Sequence, residues 1–147
     1  MKRAGRLTGP LCLAAVMAWT LWGCKEKGPL DPDDPVTLTI WHYYNGSQQA
    51  AFDALAEKFN ETVGREKGIV VENYSQGSVA DLETAVRDSA EGKVGASPMP
   101  DIFSSYADTA YEMELAGALA NLSDYLDEEE LAAYVDSYIE EGCIGQD

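Results

Sequence analysis

The strongest constraint on the fold of this chain is its regular alternation of strand-like and helix-like segments. Short runs rich in β-branched and aromatic residues predict three strands, at 36–41, 69–74 and 101–105. After each run, apolar residues recur at helical spacing, as they do between Val79 and Val86. Strands that alternate with helices in this way predict an α/β fold with a doubly wound, parallel sheet.

The last third of the chain is expected to add two more helices. One is predicted near 109–116 and is ended by Gly117. The other is predicted to start with the acidic run 127–130, where negative charge suits the helix dipole, and to end at Gly142. Its apolar residues are expected to share one face: Leu131, Val135, Tyr138 and Ile139.

Each predicted strand runs into a short turn, and these turns mark a candidate site. They lie at 43–47, 75–78 and 106–109. In open parallel sheets, ligands bind beyond the carboxyl ends of the strands, close to helix N-termini. The three turns are therefore expected to gather at one edge of the sheet and to form a ligand site there.

The N-terminal residues have the pattern of an export signal. A basic head precedes an apolar run at 11–21, which is shorter than the roughly 20 apolar residues that span a bilayer. Residues 21–24 (LWGC) resemble the lipobox of bacterial lipoproteins, which implies lipidation of Cys24 and attachment to the extracytoplasmic side of the cell membrane. The expected division is a signal peptide at 1–23, lipidated Cys24 with a flexible, Pro- and Asp-rich tether at 24–35, and a folded part at 36–147.

The folded part resembles a known family of receptors in four segments. These are 38–46 (LTIWHYYNG), 55–60 (LAEKFN), 100–103 (PDIF) and 117–126 (GALANLSDYL). In this order they are similar to the N-terminal lobe of extracellular solute-binding proteins of bacterial ABC importers. The resemblance implies a periplasmic-binding-protein fold of the class II type, with two α/β lobes that close on a solute and present it to a membrane permease.

Matching the family's binding loops to the predicted turns gives the candidate ligand contacts. They are Tyr43, Tyr44, Asn45 and Gly46, then Gln76, Gly77 and Ser78, then Tyr106, Ala107 and Asp108. Aromatic rings stack on sugar faces while amide groups bond to hydroxyls, so a carbohydrate is the favoured solute. Anions, polyamines and metal complexes remain alternatives, since helix N-termini suit an anionic group equally well.

Charge excludes some partners. The 26 acidic residues all follow Cys24, and the whole chain carries a formal charge of −16. Nucleic acid requires a basic surface, so it is excluded as a partner. An acidic domain is also not attracted to an anionic membrane leaflet, so attachment is expected to depend on the lipid.

No catalytic, cofactor or metal site is predicted. His42 is the sole histidine and has no neighbouring ligand at metal-site spacing, so packing or simple exposure is the favoured interpretation. Asp108 and Glu112 lie one helical turn apart, whereas hydrolytic carboxyl pairs face each other across a bond. Cys143 is interpreted as incidental. The expected function is binding, and the chain is not expected to be an enzyme.

The length of the chain adds a further expectation. Receptors of this family need two lobes, and 147 residues are enough for only one incomplete N-terminal lobe. Such a lobe is expected to be marginally stable and to bind its solute weakly, because it offers only one wall of the pocket. A surface lipoprotein with a structural or adhesive role is the alternative function.

Overall fold

The computed structural model describes residues 30–144. The predicted signal, Cys24 and the first part of the tether lie outside the described residues. One parallel sheet has the order β2-β1-β3, with β1 at Val36–His42, β2 at Ile69–Ser75 and β3 at Ile102–Phe103. The predicted mixed α/β architecture with a parallel sheet is therefore confirmed. The third strand is shorter than its predicted five residues.

Helices follow each strand. They are α1 (Gly46–Phe59), a π-helical segment (Asn60–Gly64), α2 (Arg65–Lys67), α3 (Val79–Ala90), α4 (Ala107–Leu115), a 3-10 turn (Leu122–Asp124), α5 (Glu128–Leu131) and α6 (Asp136–Gly142). In the part of the chain that the structure describes, none of these helices has both the length and the apolar character needed to cross a membrane.

The end of β1 shows that helices pack on both faces of the sheet. Successive side chains of a strand point to opposite faces, and Trp41 and His42 are neighbours in β1. The Trp41 side chain packs into the apolar core with Leu82 and Val86 of α3 and Met113 of α4. The His42 ring instead meets the edge of the Phe52 ring of α1, with the ring centroids 4.9 Å apart. Since these two contacts lie on opposite faces, α1 and the pair α3–α4 enclose the sheet between them.

The predicted apolar face is buried in α3 but only partly buried in α1. Leu82 and Val86 are 1% and 0% exposed, so the stripe of α3 faces the core as expected. In α1 the helical spacing predicts that Leu55 shares one apolar face with Phe52 and Phe59, whereas Leu55 is 64% exposed. The reason is that α1 contacts β2 partly through polar groups, because the Asp53 carboxylate accepts a hydrogen bond from the Asn73 amide. The face of α1 toward the sheet is thus rotated away from Leu55.

The π-helical segment after α1 places an amide side chain against the outer edge of β2. Nδ2 of Asn60 donates to the carbonyl of Val71 at 2.9 Å, and the N–H of Val71 donates to Oδ1 of Asn60 at 2.7 Å. These two bonds imitate the pairing of a neighbouring strand. They occupy backbone groups that would otherwise be open to pairing with another chain.

The described end of the predicted tether is folded into a turn. The N–H of Asp34 donates to the carbonyl of Asp31 at 3.0 Å, and residues 31–34 form an isolated bridge. This turn lies directly against Gly68, where an added Cβ would collide with the Asp31 carbonyl. Gly68 also has a φ of 75°, a conformation that glycine adopts most easily. The end of the tether therefore has a defined turn instead of the extended backbone that its prolines favour.

The prediction of one long final helix is wrong. The structure contains two short helices, α5 and α6, separated at residues 132–135. Val135 has the extended conformation of an N-cap, and it is 60% exposed. Because packing does not bury the Val135 side chain, only the intrinsic helix propensity of residues 132–135 favours a continuous helix there. That is not enough, since a helix without tertiary packing is marginal in water. The acidic start is confirmed, since Asp127 and Glu130 form a complete capping box.

Candidate ligand-binding edge

The loops that follow β1 and β2 are joined by hydrogen bonds at the carboxyl ends of the strands. The N–H of Gln76 donates to the carbonyl of His42 at 2.8 Å, and the Ser75 hydroxyl donates to the carbonyl of Tyr44 at 2.8 Å. The side-chain amide of Asn45 donates to the carbonyls of Tyr43 and Gly77. The first two predicted turns are therefore brought together.

The third turn joins them through aromatic rings. The Tyr106 ring stacks on the Tyr43 ring, with centroids 6.4 Å apart and planes inclined by 15°. The Tyr106 phenol, as a hydrogen-bond partner, raises the pKa of the Tyr43 hydroxyl above its usual value of 10.0. Tyr43 is half-buried and Tyr106 is 56% exposed, so this ring pair forms part of the surface.

The ring pair lies where the strand order changes direction. From β1 the chain crosses to β2 on one side of the sheet, and it then returns past β1 to β3 on the other side. A crevice opens beyond the carboxyl ends of the strands at such a switch point, and it is the usual ligand site of open α/β sheets. Tyr43 follows β1 and Tyr106 follows β3, so both line this position.

Three helix N-termini point toward the same edge. α1 begins after Asn45, α3 after Ser78 and α4 after Tyr106. Neither Asn45 nor Tyr106 caps its helix with its side chain. The N–H groups of Gln48 and Thr109 already donate within the protein, so the donors left for a ligand are the backbone N–H groups at 46–47 and 107–108. The edge therefore combines aromatic surface with backbone donors.

The polar side chains of several candidate residues already form hydrogen bonds within the protein. Both hydrogens of the Asn45 amide donate to carbonyls, which leaves its oxygen as the group that Asn45 can offer. The Ser78 hydroxyl accepts from the N–H of Asp81 at 3.1 Å as the N-cap of α3. Oδ1 of Asp108 accepts from the N–H of Thr109 at 2.8 Å, and its charge helps to raise the pKa of Arg87. Asp108 thus belongs to the contact between α3 and α4, whereas Gln76 and Gly77 are hydrogen-bonded to His42 and Asn45, on either side of the loop that carries Tyr43.

The contact between α3 and α4 fixes the position of the third turn. The guanidinium of Arg87 in α3 donates through Nε to the Glu112 carboxylate at 2.6 Å and through Nη2 to the hydroxyl of Thr109 at 3.0 Å. Thr109 is 1% exposed and lies in the first turn of α4. The start of α4, and Tyr106 directly before it, are therefore held against α3.

His42 lies buried beneath the rim, which confirms packing as the correct one of the two interpretations that the sequence favoured. Its ring is fully buried and stacks on the Tyr44 ring at a centroid distance of 5.1 Å. Nδ1 of His42 accepts the N–H of Tyr44 at 3.2 Å. Burial lowers the pKa of His42 below 6.5, opposed in part by the charge of Asp53, so the ring is neutral at pH 7. Within residues 30–144, no group of three metal-binding side chains comes together.

Two grooves in the described part of the chain bear on the choice of site, and the larger of the two is away from this edge. It has a volume of about 670 Å³ and lies between α1, the π-helical segment and β2, where its wall carries Asp53, Glu57 and Glu61. The smaller one, about 370 Å³, borders Tyr106 and extends toward Tyr138 and Glu141 of α6. We favour the carboxyl edge as the candidate site, because it lies at the switch point of the sheet and carries the exposed rings.

Comparison with known proteins gives one informative similarity. No protein-family model matches the chain, and no curated protein matches it. The crystal structure of the cyclic alpha-maltosyl-1,6-maltose binding protein from Arthrobacter globiformis is similar to it, with a TM-score of 0.50 and 27% sequence identity. The similarity covers 67% of this chain and 23% of that chain, so this chain corresponds to about a quarter of its neighbour. The parallel α/β fold of the described residues is therefore similar to part of a sugar-binding protein.

Proposed function

We propose that this chain is the N-terminal lobe of an extracytoplasmic solute-binding lipoprotein, which captures a carbohydrate and delivers it to the permease of an ABC importer. The observation that carries this proposal is the stacked Tyr43–Tyr106 pair at the switch point of the sheet. Flat aromatic surface beside hydrogen-bonding groups suits a sugar, whose ring faces are apolar and whose edge is lined with hydroxyls.

The similar solved structure supports the same ligand class. That protein binds cyclic alpha-maltosyl-1,6-maltose, and it is 27% identical over the matched part. The three-stranded parallel sheet of this chain is consistent with part of one α/β lobe of such a protein. The binding we propose forms and breaks no covalent bond, so no cofactor or catalytic residue is assigned.

Binding of sugars to the isolated chain tests this proposal. Since one lobe supplies only one wall of the pocket, we expect weak binding of neutral glucosides, with a dissociation constant of about 1 mM. Saturation-transfer NMR with maltose measures it. Replacing Tyr43 or Tyr106 with Ala is expected to weaken binding by about 3- to 10-fold, the range that corresponds to one aromatic contact.

Tyr134→Ala is the matched control, because Tyr134 is 57% exposed and Tyr106 is 56% exposed, whereas Tyr134 lies between α5 and α6. It is expected to leave binding unchanged. Equal effects of the Tyr106 and Tyr134 substitutions would contradict the assignment of the edge. If the chain binds cells or matrix proteins and binds no sugar, the adhesive alternative is favoured.

Attachment through Cys24 is the second part of the proposal, and it rests on the LWGC motif after an apolar run. In a bacterial host, the full chain is expected to incorporate labelled palmitate and to sediment with membranes. Cys24→Ser is expected to lose both properties, because the thiol is the acceptor of the lipid. Cys143→Ser is the control. A label that persists in Cys24→Ser would show that the anchor lies elsewhere.

A further inference from the structure

The groove beside Tyr106 extends the candidate site in one direction. It lies between the corner that joins β3 to α4 and the last helix, α6, and its volume is about 370 Å³. Tyr106 and Ala107 form one wall, and Tyr138 and Glu141 form the other. This volume falls within the range of about 300–1,000 Å³ that is usual for small-molecule sites.

Tyr106 is shared between this groove and the aromatic rim. Its ring stacks on Tyr43, and the Tyr43 ring lies 5.3 Å from the Tyr44 ring. The aromatic surface thus runs from Tyr44 through Tyr43 to Tyr106, and it continues across the groove to Tyr138. A single sugar ring would cover only a part of this length.

The chemistry of the groove suits a neutral sugar. Tyr138 is 71% exposed, so its ring is open to contact with a ligand. No residue in the described part of the chain forms an ion pair with Glu141, whose carboxylate can accept bonds from two hydroxyls. The groove is lined by one carboxylate and by no lysine or arginine, so it disfavours an acidic ligand.

We propose that this groove is a second saccharide subsite, and that the ligand is a neutral oligosaccharide that extends from the Tyr43–Tyr44 surface across Tyr106 to Tyr138 and Glu141. This inference rests on the proposed function. It adds the length and charge of the ligand, and it gives α6 a role in recognition.

The test compares ligands of two lengths. Maltose and maltotetraose are titrated into the full chain and into Tyr138→Ala, with affinity measured by saturation-transfer NMR. Tyr138→Ala is expected to weaken maltotetraose binding by about 3- to 10-fold, and to leave maltose binding unchanged, because the shorter sugar reaches only the first subsite.

Glu141→Gln is expected to weaken maltotetraose binding by about 2- to 5-fold. Tyr138→Phe keeps the ring and is expected to retain most of the affinity.

Tyr125→Ala is the control for surface exposure, because Tyr125 is 76% exposed and does not line the groove. It is expected to change neither affinity. If Tyr138→Ala affects both sugars equally, or neither, the second subsite is refuted while sugar binding at the rim stands. Tighter binding of an oligogalacturonate than of maltotetraose would refute the neutral ligand. If wild type binds neither maltose nor maltotetraose, the proposed function itself fails, and the subsite with it.

Discussion

Replacing Leu82 with Ala is expected to lower the free energy of unfolding by about 2–5 kcal/mol. Leu82 lies in α3 and is 1% exposed. It packs in the small core that also contains Trp41, Val86 and Met113. The substitution removes buried apolar contact and leaves a cavity, because the surrounding side chains can close only part of the space.

The effect is large relative to the stability of the whole domain. Domains of ordinary size are stable by only about 5–15 kcal/mol, and the apolar core here is small. Urea unfolding, followed by circular dichroism, measures the change as a shift of the midpoint at constant slope. Leu55→Ala is the control, since Leu55 also lies in a helix but is 64% exposed. Equal midpoints for the two variants would show that the face of α3 that carries Leu82 is not buried.

Replacing Asp101 with Ala is expected to destabilise the fold by about 1–2 kcal/mol and to loosen the third strand. The Asp101 carboxylate accepts from the N–H of Thr39 at 2.8 Å and from its hydroxyl at 2.9 Å. The N–H of Asp101 donates in turn to the carbonyl of Thr39 at 3.1 Å. Since β3 has only two residues, Ile102 and Phe103, these bonds do much to hold it against β1.

This contribution should depend on pH in a defined way. The hydrogen bonds from Thr39 lower the pKa of Asp101 below its usual value of 3.8. A carboxyl whose pKa is lower in the folded state stabilises that state above the unfolded pKa, and the stabilisation is lost as the pH falls through the folded value. The difference between wild type and Asp101→Ala is therefore expected to be complete at pH 7 and to shrink below about pH 4.

Two measurements distinguish this role from a general loss of charge. Urea unfolding at pH 7 and pH 3 gives the difference in stability, and Asp124→Ala serves as the control, because Asp124 is an exposed carboxylate in the 3-10 turn. Since β3 leads to Tyr106, Asp101→Ala is also expected to weaken sugar binding more than Asp124→Ala does. A difference between wild type and Asp101→Ala that stays constant with pH would contradict the role of the ionised carboxylate.

Much of the fold could be predicted from local patterns. β-branched runs marked β1 and β2, because branched side chains suit a pleated, half-buried surface. The turn at 75–78 marked where α3 begins, and in the structure Ser78 caps that helix. The final helix was mispredicted, since an apolar stripe forms a continuous helix only where another surface buries it, and Val135 and Tyr138 are exposed.

Local patterns along the chain were enough to predict the parallel α/β order of elements and the turns beyond each strand. Both depend on the local periodicity of apolar residues and on turn chemistry, which can be identified in short windows. Which side chains meet at those turns depends on contacts between distant parts of the chain. Thr39 and Asp101 are 62 residues apart, and Tyr43 reaches Tyr106 only because β3 pairs beside β1. The groove between Tyr106 and Tyr138 likewise depends on where α6 packs, and such long-range contacts leave no periodic signal in the chain.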